Sequence, residues 1–348
     1  MKSVALLILI CFFQLSLPAQ EKENVNTIGS GQVPSVVKDK ANRIHIAYGY
    51  GDSIMYVFSK DGISFSSPSL VAVLPGLFSF AMRGPQVAVS SSGIIITACT
   101  KEGNIYAYSK TPNRSWARTV RLNSQPSSAK EGLMALSADG NHVFATWLSV
   151  NDPKGQKLMG IRSTDGGKTW SNNQLVYSSP DKSICECCKP STVVRGNKVY
   201  VMFRNWLNGN RDLYLTTSTN SGQAFQKAQK LGMGSWKLSG CPMDGGGLVV
   251  SKAGTVFTVW RREAQVYAAA PGQVEKAKGE GRNCTMELIN GKPVYAWTQN
   301  GEMIITLPGG SRRIIGKGAL PQLKAINDQQ LLCVWEKDKQ IQSLILSL

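Results

Sequence analysis

Five cysteines carry the sharpest chemical signal in this chain. Cys185, Cys187 and Cys188 stand in Cys185-Glu186-Cys187-Cys188-Lys189-Pro190, and Cys241 and Cys284 follow in Gly240-Cys241-Pro242 and Asn283-Cys284. Three chemistries fit such a group. It could form two disulfides and leave one thiol. It could be a thiolate metal site, where soft sulfur ligands favour Cu(I) or Zn(II). It could hold a redox-active or ligand-attaching thiol. Cys-x-Cys-Cys is not a standard zinc spacing, and only His45 and His142 exist to help. A c-type haem is excluded, because no Cys-x-x-Cys-His occurs. Cys99 and Cys333 sit in apolar strand-like runs and read as small buried hydrophobes.

Arginines form the second set. Arg83, Arg204 and Arg261 each stand at or near the edge of a β-rich run. A planar guanidinium matches a carboxylate in a bidentate way, so the three together would suit an anionic sugar. Asp244, Glu131 and Glu263 are the acids available for proton transfer beside them. Lys and Arg number 39 against 22 Asp and Glu, a formal charge of +17. That balance favours anionic partners. The basic residues are dispersed, with no run resembling a nucleic-acid arm, so specific nucleic-acid binding is not expected.

Short β-type runs separated by turn signals continue from about residue 33 to the end, and no long stretch has a helical apolar period. A repeat emerges from them. Ser163-Thr-Asp165-Gly-Gly167-Lys-Thr-Trp170 reads S-x-D-x-G-x-T-W. Ser218, Asn220, Gly222 and Phe225 repeat its frame, as do Ser109 to Trp116 and a shorter copy from Ser59 to Phe65. The copies begin at 59, 109, 163 and 218, a near-constant spacing of 50 to 55 residues. The Asp or Asn can accept from backbone N–H groups of the turn, the Gly permits a positive φ, and the aromatic packs the turn down.

This motif resembles the Asp-box of the sialidase superfamily. The resemblance implies an all-β propeller of four-stranded antiparallel blades, with the boxes structural and away from the active face. Strand-end aromatics at Tyr48, Trp147, Phe203, Trp260, Trp297 and Trp335 mark second strands. Seven inner-strand starts can be counted, near residues 33, 84, 130, 189, 241, 283 and 320. The count predicts seven blades, with six as the alternative. The seventh has room for three strands, so residues near 24–28 are expected to supply its outer strand and close the ring. In a propeller, inner-strand starts and second-strand ends share one face. That places the five cysteines at one mouth of the channel, with Arg83 and Glu131 at inner-strand starts and Arg204, Arg261 and Glu336 at second-strand ends around it.

The resemblance is weaker for chemistry. Met82-Arg83-Gly84-Pro85 is similar to the Arg-x-Pro motif of sialidases, which implies an exo-α-sialidase as one reading. Yet no Asp lies between Arg83 and Asp139 to serve as acid–base, and neither Tyr267 nor Tyr295 has a matching context for the nucleophile. The stretch from Cys185 to Gly247, with Arg211-Asp212 and Trp236, also resembles a cysteine-rich segment of bacterial sialidase-like proteins that carries no established activity. The favoured reading is therefore a propeller that binds an anionic, sialic-acid-like glycan or an envelope partner. Residues 1–19 read as a secretory signal peptide: Lys2, an apolar run from Val4 to Leu17, then Pro18-Ala19. That run is short of the roughly 20 residues a spanning helix needs. Export to the periplasm or beyond follows, with residues 20–348 as one propeller domain and no membrane span.

Overall fold

The computed structural model describes residues 25–150 and 155–348; the predicted leader lies outside them. Seven four-stranded antiparallel sheets account for every strand. The seven inner strands are Gln32–Lys38, Gln86–Ser90, Met134–Asp139, Ser191–Arg195, Gly246–Val250, Arg282–Ile289 and Ala319–Ala325. In six sheets the strands follow in chain order. The seventh takes its outer strand from the N-terminal segment Asn26–Ser30, which pairs with Gln340–Ser347. The ring thus closes two residues later in sequence than expected, and the predicted seven-bladed propeller is the fold. No helix among the described residues is long and apolar enough to cross a membrane.

Burial follows position in the blade. The second strand Ile44–Tyr50 is buried at every residue but the last, because neighbouring blades cover both its faces. The outer strand Ser69–Val73 buries little beyond Val71. Trp147, Trp297 and Trp335, all at second strands, are among the largest fully buried side chains. They pack between adjacent blades, where large rings contribute the most buried area.

The repeated turns behave as their residues require. Ser163 Oγ donates to Asp165 Oδ1 at 2.8 Å and accepts the Gly167 amide at 2.8 Å. Asp165 also accepts from Lys168 and Thr169. Ser218 and Asn220 repeat this with Gly222 and Ala224, and Ser59 and Asp61 with Gly62 and Ser64. Each turn leans on the previous blade: Ser90 Oγ donates to Gly166 O at 2.9 Å, and Gly222 rests on Phe144. The turns therefore lie at the end of the blades where inner strands finish, opposite the end where they start.

Two kinds of connection lead into the inner strands. Blades six and seven are entered through Gly279-Glu280-Gly281 and Gly316-Lys317-Gly318. A Cβ on Gly281 would stand 2.3 Å from Trp297 Cδ1, and one on Gly318 2.5 Å from Trp335 Cδ1, so only glycine lets the chain pass under the indole. Blades two to five are entered through long segments instead, 74–85, 122–133, 179–190 and 231–245. The last two build the site described next.

Candidate functional site

Segment 179–190 holds three cysteines. Cys185 N–H donates to Arg204 O at 3.1 Å, which fixes the segment against the second strand of blade four. Cys185 Sγ then lies 3.4 Å from Cys188 Sγ and 3.7 Å from Cys187 Sγ. Cys187 forms a disulfide with Cys241 of segment 231–245. Cys185, Cys187 and Cys188 are buried, whereas Cys241 is exposed. Four of the five predicted cysteines therefore meet. Cys284 does not join them. It packs among Val259, Val266 and Met286 on the channel wall, outside the group that Cys185, Cys187 and Cys188 form among the described residues. It lies inside the strand Arg282–Ile289 rather than in a connecting segment, so its side chain follows the strand's own register.

Sequence reasoning names Arg211 only within the Arg211-Asp212 pair of the cysteine-rich segment; its contact with Cys185 is what that reading misses. Arg211 does not pair with the adjacent Asp212. Arg211 Nη1 donates to Cys185 Sγ at 3.1 Å, and its guanidinium lies over the Trp206 ring at 4.8 Å. Asp212 turns instead to the Trp236 amide at 2.8 Å and to Lys230 at 3.3 Å. The side-chain hydrogen bond with Cys188 favours the Cys185 thiolate most. Burial opposes it, and the charges of Arg204 and Arg211 add to it, leaving Cys185 at about 6. Burial, and then its neighbour Cys185, push the Cys188 thiol well up. Burial also raises Cys284.

The three arginines are not one clamp. Arg83 donates through Nε to Glu131 O at 2.6 Å and through Nη2 to Glu131 Oε2 at 3.0 Å, joining the entries of blades two and three. Arg204 is 2% exposed and donates to Arg211 O at 2.7 Å and Arg261 O at 2.8 Å. Both of its terminal nitrogens are thus taken by carbonyls. Arg204 and Arg261 stand 5.4 and 5.3 Å from the Trp236 ring centroid, flanking it as cation–π partners. Arg261 also reaches Asp244 Oδ2 at 3.4 Å. Asp244 is fully buried and its Oδ1 accepts from the Gly245 and Asn283 amides. Burial raises its pKa, against the Arg204 and Arg261 charges and the two amides. Glu263 is exposed in a hairpin turn, and its carbonyl accepts from Arg261 Nε. None of the three candidate acids pairs with a tyrosine among the described residues. His45 hydrogen-bonds Tyr56 and Asp39, away from the sulfurs.

The seven inner strands enclose a channel of about 1380 Å³, lined at the site end by Lys189, Asp244 and Cys284. Lys189 stands within the cysteine motif, in Cys188-Lys189-Pro190. It is half-buried, and its ammonium makes no hydrogen bond or ion pair among the described residues. Burial draws it down to about 8.

Glu275 anchors segment 231–245 from outside. It accepts from the Met233 amide at 2.6 Å and the Gly234 amide at 2.9 Å, and pairs with Arg262. Burial resists its ionisation, but the Met233 amide, Arg262 and the Gly234 amide outweigh it and hold the carboxyl at about 2. The folded value lies below the ordinary 4.5, so this stabilisation is complete above that pH and fades as pH falls toward 2. Glu275→Gln is expected to cost about 2 kcal/mol at pH 7 and little near pH 2. Urea midpoints measured at both pH values check this.

No family model matches the chain, and no curated protein matches it. Solved structures do. The BP39L lectin from Burkholderia pseudomallei superposes with a TM-score of 0.62 at 9% identity, over 92% of this chain and 96% of the lectin. An α-L-arabinanase from Penicillium chrysogenum gives 0.54 at 11% identity, over 93% and 97%. A Dyadobacter fermentans protein of unknown function gives 0.52 at 14% identity, over 93% and 96%. At these identities the likeness is one of fold, and the class it defines is the β-propeller.

Proposed function

We propose that this protein is an exported, sialidase-like propeller that binds an acidic glycan at the channel mouth. Lys189 carries the reading. A half-buried ammonium with no counter-charge is unfavourable unless a ligand supplies one. With its value near 8 it is still largely cationic at neutral pH. A carboxylate or sulfate on a sugar would meet it, and the formal charge of +17 would speed the encounter. The lectin and the arabinanase with this fold bear names that point to carbohydrate ligands. An envelope partner rich in carboxylates would use the same cation.

Calorimetry with a sialylated trisaccharide, a uronate oligosaccharide and their neutral counterparts tests the proposal. The expected result is binding of an acidic sugar that weakens with salt and falls at least roughly tenfold in Lys189→Met. Failure to bind any acidic sugar, or binding indifferent to Lys189→Met, overturns it. Turnover of a fluorogenic sialoside between pH 4 and 8 would replace binding with the exo-α-sialidase reading.

A further inference from the structure

The geometry points to a thiol–disulfide exchange centre at the four clustered cysteines, in which one disulfide moves between a surface pairing and a buried one. The surface pairing is Cys187–Cys241, with Cys241 exposed. The buried pairing is Cys185–Cys188, whose sulfurs already stand 3.4 Å apart. Cys185 links the two, because its Sγ is also 3.7 Å from Cys187 Sγ.

Two contacts of its own suit Cys185 to be the nucleophile. Arg211 Nη1 lies 3.1 Å from its sulfur and stabilises negative charge there. Arg211 is itself held by the Trp206 ring and by Leu238 O. The Cys185 amide is bonded to Arg204 O, so the sulfur is fixed in place beside the disulfide. A buried sulfur that only packed would need no guanidinium aimed at it.

The exchange balances without an outside oxidant. The Cys185 thiolate attacks Cys187 Sγ; a Cys185–Cys187 bond forms, the Cys187–Cys241 bond breaks, and its electron pair leaves on Cys241. Cys188 then attacks Cys185 Sγ, forming Cys185–Cys188. Cys187 leaves and takes the proton that Cys188 gives up. One disulfide is consumed and one is made, and a thiolate has moved from the buried Cys185 to the exposed Cys241. There it can attack the disulfide of another molecule, forming a mixed disulfide at Cys241 and expelling the other half as a thiolate. The substrate class is therefore an external disulfide.

The test uses the full chain purified without reductant. It is incubated with N-ethylmaleimide at neutral pH, or with glutathione disulfide, then digested and mapped by mass spectrometry. The expected result is alkylated or glutathionylated Cys241, with a Cys185–Cys188 disulfide appearing in proportion. Cys185→Ser should slow modification of Cys241 at least roughly tenfold. Cys188→Ser should still release Cys241 but stop at a Cys185–Cys187 linkage, a product that misfolding would not give. The proposal is overturned if Cys241 stays bonded to Cys187 in the wild type, or if Cys185→Ser is modified equally fast. It is also overturned if all four sulfurs are reduced and hold Cu(I) or Zn(II).

Discussion

Deleting residues 26–30 is expected to remove most of the stability of this protein. These residues are the outer strand of the seventh blade, paired as Asn26↔Ser343, Thr27↔Gln342, Gly29↔Ile341 and Ser30↔Gln340. Gly31 N–H continues the link to Lys339 O at 2.8 Å, and Gln342 Nε2 donates to Thr27 Oγ1 at 2.9 Å. Ile28 is buried in the core formed with Ile44, Tyr48 and Ile341. Ladder hydrogen bonds contribute about 1 kcal/mol each, and burying Ile28 about 1.5–3 kcal/mol. Their sum, about 5 kcal/mol, rivals the whole stability of many domains. The deletion also turns Gln340–Ser347 into an open edge that invites pairing with a second chain. Chemical denaturation should show an early or absent transition, and size-exclusion chromatography should show association. Thr27→Val, which loses only the Gln342 bond, should cost under about 1 kcal/mol.

That closing strand was legible because propeller topology fixes what a three-stranded last blade lacks. The rest of the fold was legible for a related reason. Blades repeat, so a turn such as Ser163–Trp170 recurs at near-constant intervals in four of them, and the inner-strand starts count all seven. The grouping of Cys185, Cys187, Cys188 and Cys241 followed from where inner strands begin. What lay beyond reach depended on the paths of segments 179–190 and 231–245, which have no period. The pairing of Cys187 with Cys241 is one such feature. The turn of Arg211 toward Cys185, away from the adjacent Asp212, is another. Arg204 shows the same limit differently: its strand position was inferred correctly, but its guanidinium bends back to two carbonyls.

Asp244→Ala is the second change expected to have a large effect, about 3–5 kcal/mol, because it strips a buried acid from the charge it neutralises. Asp244 is fully buried, and it receives the Gly245 and Asn283 amides as well as Arg261. Alanine would leave both amides without their acceptor and Arg261 without a counter-charge. Asp244→Asn keeps an acceptor for the amides and removes a charge whose burial is itself costly, so a loss of only about 1–2 kcal/mol is expected. Much of the alanine penalty should be the stranded guanidinium. Asp244→Ala with Arg261→Met is therefore expected to be more stable than Asp244→Ala alone, by roughly 1 kcal/mol or more. Denaturant midpoints of the three variants decide the matter. Were Asp244 a proton donor held in place by other groups, alanine and asparagine would cost similar stability. The double variant would then recover nothing. Recovery identifies Asp244 as the charge that anchors Arg261 beside Trp236.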